Sequence, residues 1–138
     1  CMTTDGYLDL KYLISRAYLK NQHRGLPLIK KEWLVELNKD LIILSGGKEG
    51  DIGKAVLAGK MDKAAEFLGF WNHHFSNRFY LELQRTGRPK ENEYIHQVIG
   101  LAQGSGTPVV ATNDVRFLEK EDFDATLKVQ MVVELYSK

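Results

Sequence analysis

The 138-residue chain has a single cysteine, Cys1, and only three prolines. A lone thiol excludes an internal disulfide framework and a zinc site built on cysteine pairs. No apolar run approaches the roughly 20 residues that a bilayer-spanning helix needs, and no basic leader followed by an apolar stretch is seen. Charge of one sign is lacking as well: 19 Lys+Arg stand against 18 Asp+Glu, a formal net charge of +1. That balance removes the usual electrostatic footprint of a DNA-binding module. The remainder is ordinary, with 43% hydrophobic and 27% charged residues. It predicts one folded domain over 1–138 in a reducing, cytoplasmic setting.

The chain opens Cys1-Met2-Thr3-Thr4-Asp5-Gly6 and closes Ser137-Lys138 directly after the apolar stretch from Val129 to Tyr136. Both ends predict a segment excised from a longer protein. Strands missing at such ends would leave apolar surface uncovered, so self-association of the isolated piece is expected.

Hydrophobic periodicity predicts alternating helices and strands. Asp5 is placed to cap a first helix whose inward face is Leu10, Leu13, Ile14, Ala17 and Tyr18. Gly25 and Pro27 end that region, and 31–37 reads as a short second helix. Leu41-Ile42-Ile43-Leu44 is a continuous apolar run, expected as a strand buried on both faces. Helices follow at 51–57 and 61–75, the latter with Ala64, Leu68, Trp71 and Phe75 inward. A second strand is expected at 79–83 and a helix at 90–103, with Ile95, Val98, Ile99 and Ala102 inward. The third strand is 109–112, and a last helix is expected from Phe123 to Tyr136. Strands separated by helices imply a parallel sheet, hence an α/β fold.

Three motifs carry potential chemistry. The glycine-rich stretch from Gly46 to Lys54 follows a strand, the position of a phosphate-cradling loop. Its spacing fails the P-loop pattern: Lys48 stands where the first glycine belongs, and Ala55 where Ser or Thr belongs. Gly47, Gly50 and Gly53 are three apart throughout, which also fails the dinucleotide fingerprint, so a tight strand-to-helix turn is the better account. Of the four histidines, His73 and His74 are adjacent on a helix and diverge by about 100°. With His23 in a loop and His96 on a polar helix position, no histidine-built metal site is expected. Glu82 and Asp114 are more informative. Both fall at the carboxyl ends of predicted parallel strands, the working end of α/β folds, where paired carboxylates can hold a metal or share proton transfer. Arg116 follows Asp114 by two residues, so a salt bridge is the competing role.

At these residues a family resemblance becomes visible. The ordered set Thr3-Thr4-Asp5-Gly6-Tyr7, Leu13-Ile14-Ser15-Arg16-Ala17-Tyr18 and Leu41-Ile42-Ile43-Leu44-Ser45-Gly46-Gly47 continues in two further stretches. These are Phe79-Tyr80-Leu81-Glu82-Leu83-Gln84-Arg85-Thr86-Gly87-Arg88-Pro89 and Val109-Val110-Ala111-Thr112-Asn113-Asp114-Val115-Arg116-Phe117-Leu118. Together they resemble the N-terminal PHP (polymerase and histidinol phosphatase) domain of the bacterial replicative, C-family DNA polymerase III alpha subunits. The match runs from Thr3 to about Ala125. After Asp124 the chain departs, because Ala125-Thr126-Leu127-Lys128 lacks the His-Glu commonly found there.

The resemblance implies part of a distorted PHP-type β/α barrel, incomplete in an excised piece. Metal-binding members of the family hold ions at the strand ends. Their His-x-His element is not found in this chain, their cysteine after Leu-Ser-Gly is Gly47 here, and a histidine ligand is Arg116. Only Asp114 keeps a ligand-type residue. Glycine offers no ligand atom, and a guanidinium has no lone pair for a metal. The expectation is a degenerate, metal-free centre at the relic positions Gly47, Asp114 and Arg116, with the arginine replacing the inorganic cation beside Asp114 and Glu82. No catalytic residue and no cofactor are expected in this stretch. The resemblance further implies a parent chain that performs template-directed DNA synthesis with Mg at carboxylates outside it. Expected partners are the other domains of that chain and a separate proofreading exonuclease. Direct DNA contact through Arg85, Arg88 and Lys90 is the weaker expectation, since a cationic loop is usually just solvated. The alternative from another class is an independent metal-dependent PHP phosphoesterase.

Overall fold

The computed structural model describes residues 1–113. Helix α1 (Thr4–Lys20) leads into a short hairpin, β1 (Gln22–His23) and β2 (Leu26–Pro27), then helix α2 (Lys31–Glu36) and strand β3 (Ile43–Leu44). Helices α3 (Asp51–Leu57) and α4 (Met61–His74), strand β4 (Phe79–Gln84), helix α5 (Glu91–Ser105) and strand β5 (Val109–Thr112) complete the described chain. The three longer-range strands form a parallel sheet in the order β3-β4-β5, with Ile43 opposite Phe79 and Leu81 opposite Val109. This is the α/β arrangement of alternating parallel strands and helices that periodicity predicts. Asp114, Arg116 and the expected last helix from Phe123 to Tyr136 lie outside the described residues.

Local chemistry sets several boundaries. The α1 cap is Thr3 rather than Asp5: its Oγ1 accepts from the Gly6 N–H at 3.1 Å, and Asp5 sits inside the first turn. Gly6 then allows α1 to lie on the turn before β3, since a Cβ there would stand 2.6 Å from the Asp40 carbonyl. The Met2 N–H donates to that same carbonyl at 2.8 Å. From the other side, Arg78 donates to the carbonyls of Lys39 at 2.8 Å and Leu41 at 3.2 Å. A chain entry held at both sides places β3 beside β4. The β1–β2 hairpin is absent from the periodicity reading, because two-residue strands carry no pattern. Its turn residues Arg24 and Gly25 both have positive φ, the signature of a tight primed turn.

The core lies where the helices meet one face of the sheet. Phe79 and Leu81 are buried with Ile52, Leu68, Trp71, Phe75 and Val98. Trp71 stacks on Phe79 with ring centroids 5.9 Å apart, and its Nε1 donates to Asp51 Oδ2 at 3.1 Å. Lys31 Nζ meets the same carboxylate at 2.8 Å, with its charge over the rings of Phe67, Phe70 and Trp71. Such an arrangement satisfies an otherwise costly half-buried ion pair by cation–π attraction.

Three inward assignments are corrected. Ile14, Tyr18 and Ile99 are exposed, so α1 buries a narrower stripe of Gly6, Leu13 and Ala17, with Leu10 half-buried. The run 41–44 is not buried on both faces: Leu41 is buried, yet Ile42 and Leu44 are exposed. Among the described residues β3 is a sheet edge, and Leu44, Tyr80 and Val110 share the face opposite the helices by strand register.

Candidate functional site at the strand ends

Parallel pairing brings the carboxyl ends of β3, β4 and β5 to one end of the sheet. Period-2 alternation puts Glu82 and Gln84 of β4 on one face with Thr112, the register partner of Gln84. Glu82 is buried. Its Oε1 accepts from the Thr112 hydroxyl at 2.5 Å and from Gln84 Nε2 at 3.3 Å. The Gln84 amide also donates to Thr112 Oγ1 at 3.3 Å, closing a three-residue ring of contacts.

The backbone around Glu82 is equally committed. Its N–H donates to the buried Ser45 Oγ at 2.9 Å, which ties the end of β3 to β4. Its carbonyl accepts from the Tyr94 hydroxyl of α5 at 2.8 Å. Burial pushes the Tyr94 phenol above its usual value; hydrogen bonding with Ser45 opposes this, and the Glu82 charge adds to it.

Gly47 joins this cluster. A Cβ built on it would lie 3.5 Å from Gln84 Oε1 and 4.0 Å from the Glu82 carbonyl, ordinary contact distances. Its φ of 57° is left-handed, so glycine relieves backbone strain there. The glycine-rich stretch is otherwise a packed turn, as its spacing indicates. A Cβ at Gly53 would meet the Gly47 carbonyl at 2.3 Å, so close approach accounts for that glycine without a phosphate. The sequence-predicted residues Gly47 and Glu82 therefore come together, while Asp114 and Arg116 lie outside the described residues. Ser45, Gln84, Tyr94 and Thr112 are members that the motif reading missed. Gln84 and Thr112 were readable as the alternate positions at two strand ends; Ser45 and Tyr94 carry no spacing signal. His23, His73 and His96 are exposed, and His74 packs on Phe70.

The donor set decides what this end of the sheet can hold. Among the described residues, one carboxylate, already bonded by a hydroxyl and an amide, has only neutral side chains beside it. Zinc sites are built from thiolate, imidazole and further carboxylate ligands. Among the described residues no three His, Cys, Asp or Glu side chains converge into a metal-holding group. Gly47, Glu82, Gln84 and Thr112 do not fit a divalent ion as they stand; they fit a carboxylate stabilised by hydrogen bonds.

A parallel α/β sheet with polar strand ends of this kind is one that several barrel families use. Residues 1–86 match the PHP domain family, and the chain belongs to it. Among the described residues, the three parallel strands and their helices form part of a PHP-type barrel. Over 120 residues, 87% of this chain, it is 49% identical to the DNA polymerase III subunit alpha of Escherichia coli strain K12, covering 10% of that protein. The same subunit of Pseudomonas fluorescens is 46% identical over 124 residues, 90% of this chain and 11% of the relative. That of Vibrio cholerae is 46% identical over 120 residues, 87% of this chain and 10% of the relative. The chain thus spans about a tenth of the length of the curated relatives it matches. No helix among the described residues is long and apolar enough to cross a membrane.

Proposed function

We propose that this chain is the PHP region of a DNA polymerase III alpha subunit, and that the whole subunit carries out template-directed DNA synthesis in the cytoplasm. The observation that carries the reading is 49% identity across 87% of this chain to such a subunit. In the parent, Mg at palm-domain carboxylates outside this stretch supplies the nucleotidyl-transfer chemistry. The role of this region is structural: it packs against other domains of the same chain and helps dock a proofreading exonuclease subunit.

Within that reading, the strand-end cluster is a degenerate PHP centre that functions without metal. Gly47 contributes no ligand atom, and Thr112 with Gln84 supplies donors to the Glu82 carboxylate. Arg116 stands two residues after Asp114 in the sequence and carries a permanent positive charge, the proposed substitute for an ion. Hydrogen bonds from Thr112 and Gln84 occupy the Glu82 carboxyl oxygen that an ion would otherwise use.

Primer extension by the full-length protein tests the parent activity, with nucleotide incorporation on a primed template expected. A full-length protein inactive there, yet hydrolysing phosphomonoesters with manganese or zinc in an Asp114-dependent manner, would overturn both parts. Co-purification with the exonuclease subunit tests docking; failure of the intact chain to retain it removes that role.

A further inference from the structure

The loop joining β4 to α5 is built more firmly than a solvated cationic loop requires. Glu91, the first residue of α5, is buried, and its carboxylate points back into the loop. Oε1 accepts from the Thr86 hydroxyl at 2.6 Å, and Oε2 accepts from the N–H groups of Thr86 at 2.8 Å and Gly87 at 2.9 Å. These bonds hold the carboxyl below its ordinary pKa, the Thr86 hydroxyl foremost, against opposing desolvation. Across the loop, Lys48 Nζ donates to the Pro89 carbonyl at 3.1 Å, bringing a further cation from the segment after β3. Lys90 itself takes the left-handed conformation, φ 65°, at the turn into α5.

The loop borders an open groove of about 630 Å³. Its walls are the exposed Arg85 and Arg88 on the loop and Asn92 and His96 on α5, with Ile95 between them. The one carboxylate in the lining, Glu91, is committed to the three loop donors just described. Among the described residues no carboxylate forms an ion pair with Arg85. Two guanidiniums, an amide and an imidazole converge on a groove whose loop is fixed in advance. Guanidinium forks match phosphate oxygens in geometry as well as charge. Ordering the loop beforehand removes part of the entropic cost of binding.

From this geometry we propose that the groove binds a phosphate group of a nucleic-acid strand, with Arg85 and Arg88 as its principal contacts and Glu91 as a positioning residue. The chain's near-neutral total charge does not oppose this, since a single phosphate contact depends on the local guanidiniums of the groove, Arg85 and Arg88, and not on the net charge. The inference rests on the polymerase reading for the presence of nucleic acid, and the groove itself is independent of the Glu82 cluster.

The test uses the full-length protein and random-sequence single-stranded and duplex DNA, with affinity measured against salt. Neutralising a phosphate contact makes the slope of log affinity against log salt shallower by about one unit. Arg85→Gln and Arg88→Gln are each expected to do so, with affinity about fivefold weaker at low salt. Glu91→Gln discriminates further: by charge alone it would strengthen anion binding, whereas release of the loop weakens it, and weakening is expected. Lys11→Gln on α1 serves as a distant charge control. Unchanged slopes in both arginine variants, or effects no larger than that control, would overturn the groove as a binding site. Loss of affinity for inorganic phosphate or a free nucleoside triphosphate alone, with DNA binding intact, would overturn the nucleic-acid source. Primer extension by the same preparations separates the two readings: an active polymerase with unmoved slopes sinks the groove only.

Discussion

The Thr112 hydroxyl at the end of β5 donates to Glu82 Oε1 on the neighbouring strand at 2.5 Å. A threonine side chain thereby supplies a hydrogen to a buried carboxylate at the carboxyl end of the sheet. Removing that donor while keeping the shape isolates its contribution. Thr112→Val should destabilise folding by about 1–3 kcal/mol, the usual cost of leaving a buried charged acceptor short of a donor. Urea unfolding of the two proteins measures it; an unchanged midpoint would show that the contact contributes nothing.

Gly47→Cys places a thiol beside the Gln84 amide and the Glu82 main-chain carbonyl. The side chain has ordinary contact room against Gln84, but a φ of 57° disfavours any Cβ. The expected cost is about 1–2 kcal/mol of stability. No stoichiometric zinc should accompany the new thiol, because the other described donors are neutral or already hydrogen-bonded. Elemental analysis after dialysis checks the second half of the expectation.

Tyr94→Phe removes the donor to the Glu82 carbonyl. A loss of about 1 kcal/mol is expected, larger if no water replaces the hydroxyl. The pH dependence follows from the raised phenol. A folded-state value above the unfolded one preserves its contribution below the unfolded pKa, near 10, and loses it as pH rises through the folded value. The stability difference between wild type and Tyr94→Phe should therefore shrink in strong alkali. A difference constant across that range would contradict the linkage.

Glu91 behaves in the opposite sense. Its carboxyl is held below the ordinary 4.5, so its contribution is present above that value and declines as pH falls through the folded one. Wild type should exceed Glu91→Gln in stability at neutral pH, and the gap should narrow in acid. Parallel urea titrations from neutral pH to about pH 3, spanning the ordinary carboxyl range, read that narrowing. A gap that stays constant into acid would show that the loop does not depend on the ionised carboxylate.

Much of the fold was legible because long apolar periodicities survive tertiary packing. The 61–75 helix shows this best: Ala64, Leu68, Trp71 and Phe75 recur at helical steps, and all four are buried. Misassignments arose where neighbours decided the outcome. Ile42 and Leu44 look like core because the run is apolar, yet β3 borders the sheet and leaves them exposed. Thr3 and Asp5 are both good caps, and only the observed bond to the Gly6 N–H selects between them. The candidate site was legible through Gly47 and Glu82, which strand topology alone brings together. Its supporting partners Ser45 and Tyr94 lie 37 and 12 residues from Glu82 in sequence, separations that no local spacing rule connects.

The proposal that the strand ends of this PHP region work without a bound metal is the central claim. Elemental analysis of the purified full-length protein, after dialysis against buffer containing zinc and manganese, tests it most directly. The account predicts no metal that depends on this region, so that Glu82→Gln and Asp114→Ala leave the metal content unchanged. Stoichiometric zinc or manganese that survives dialysis in the wild type and disappears in either variant would contradict it.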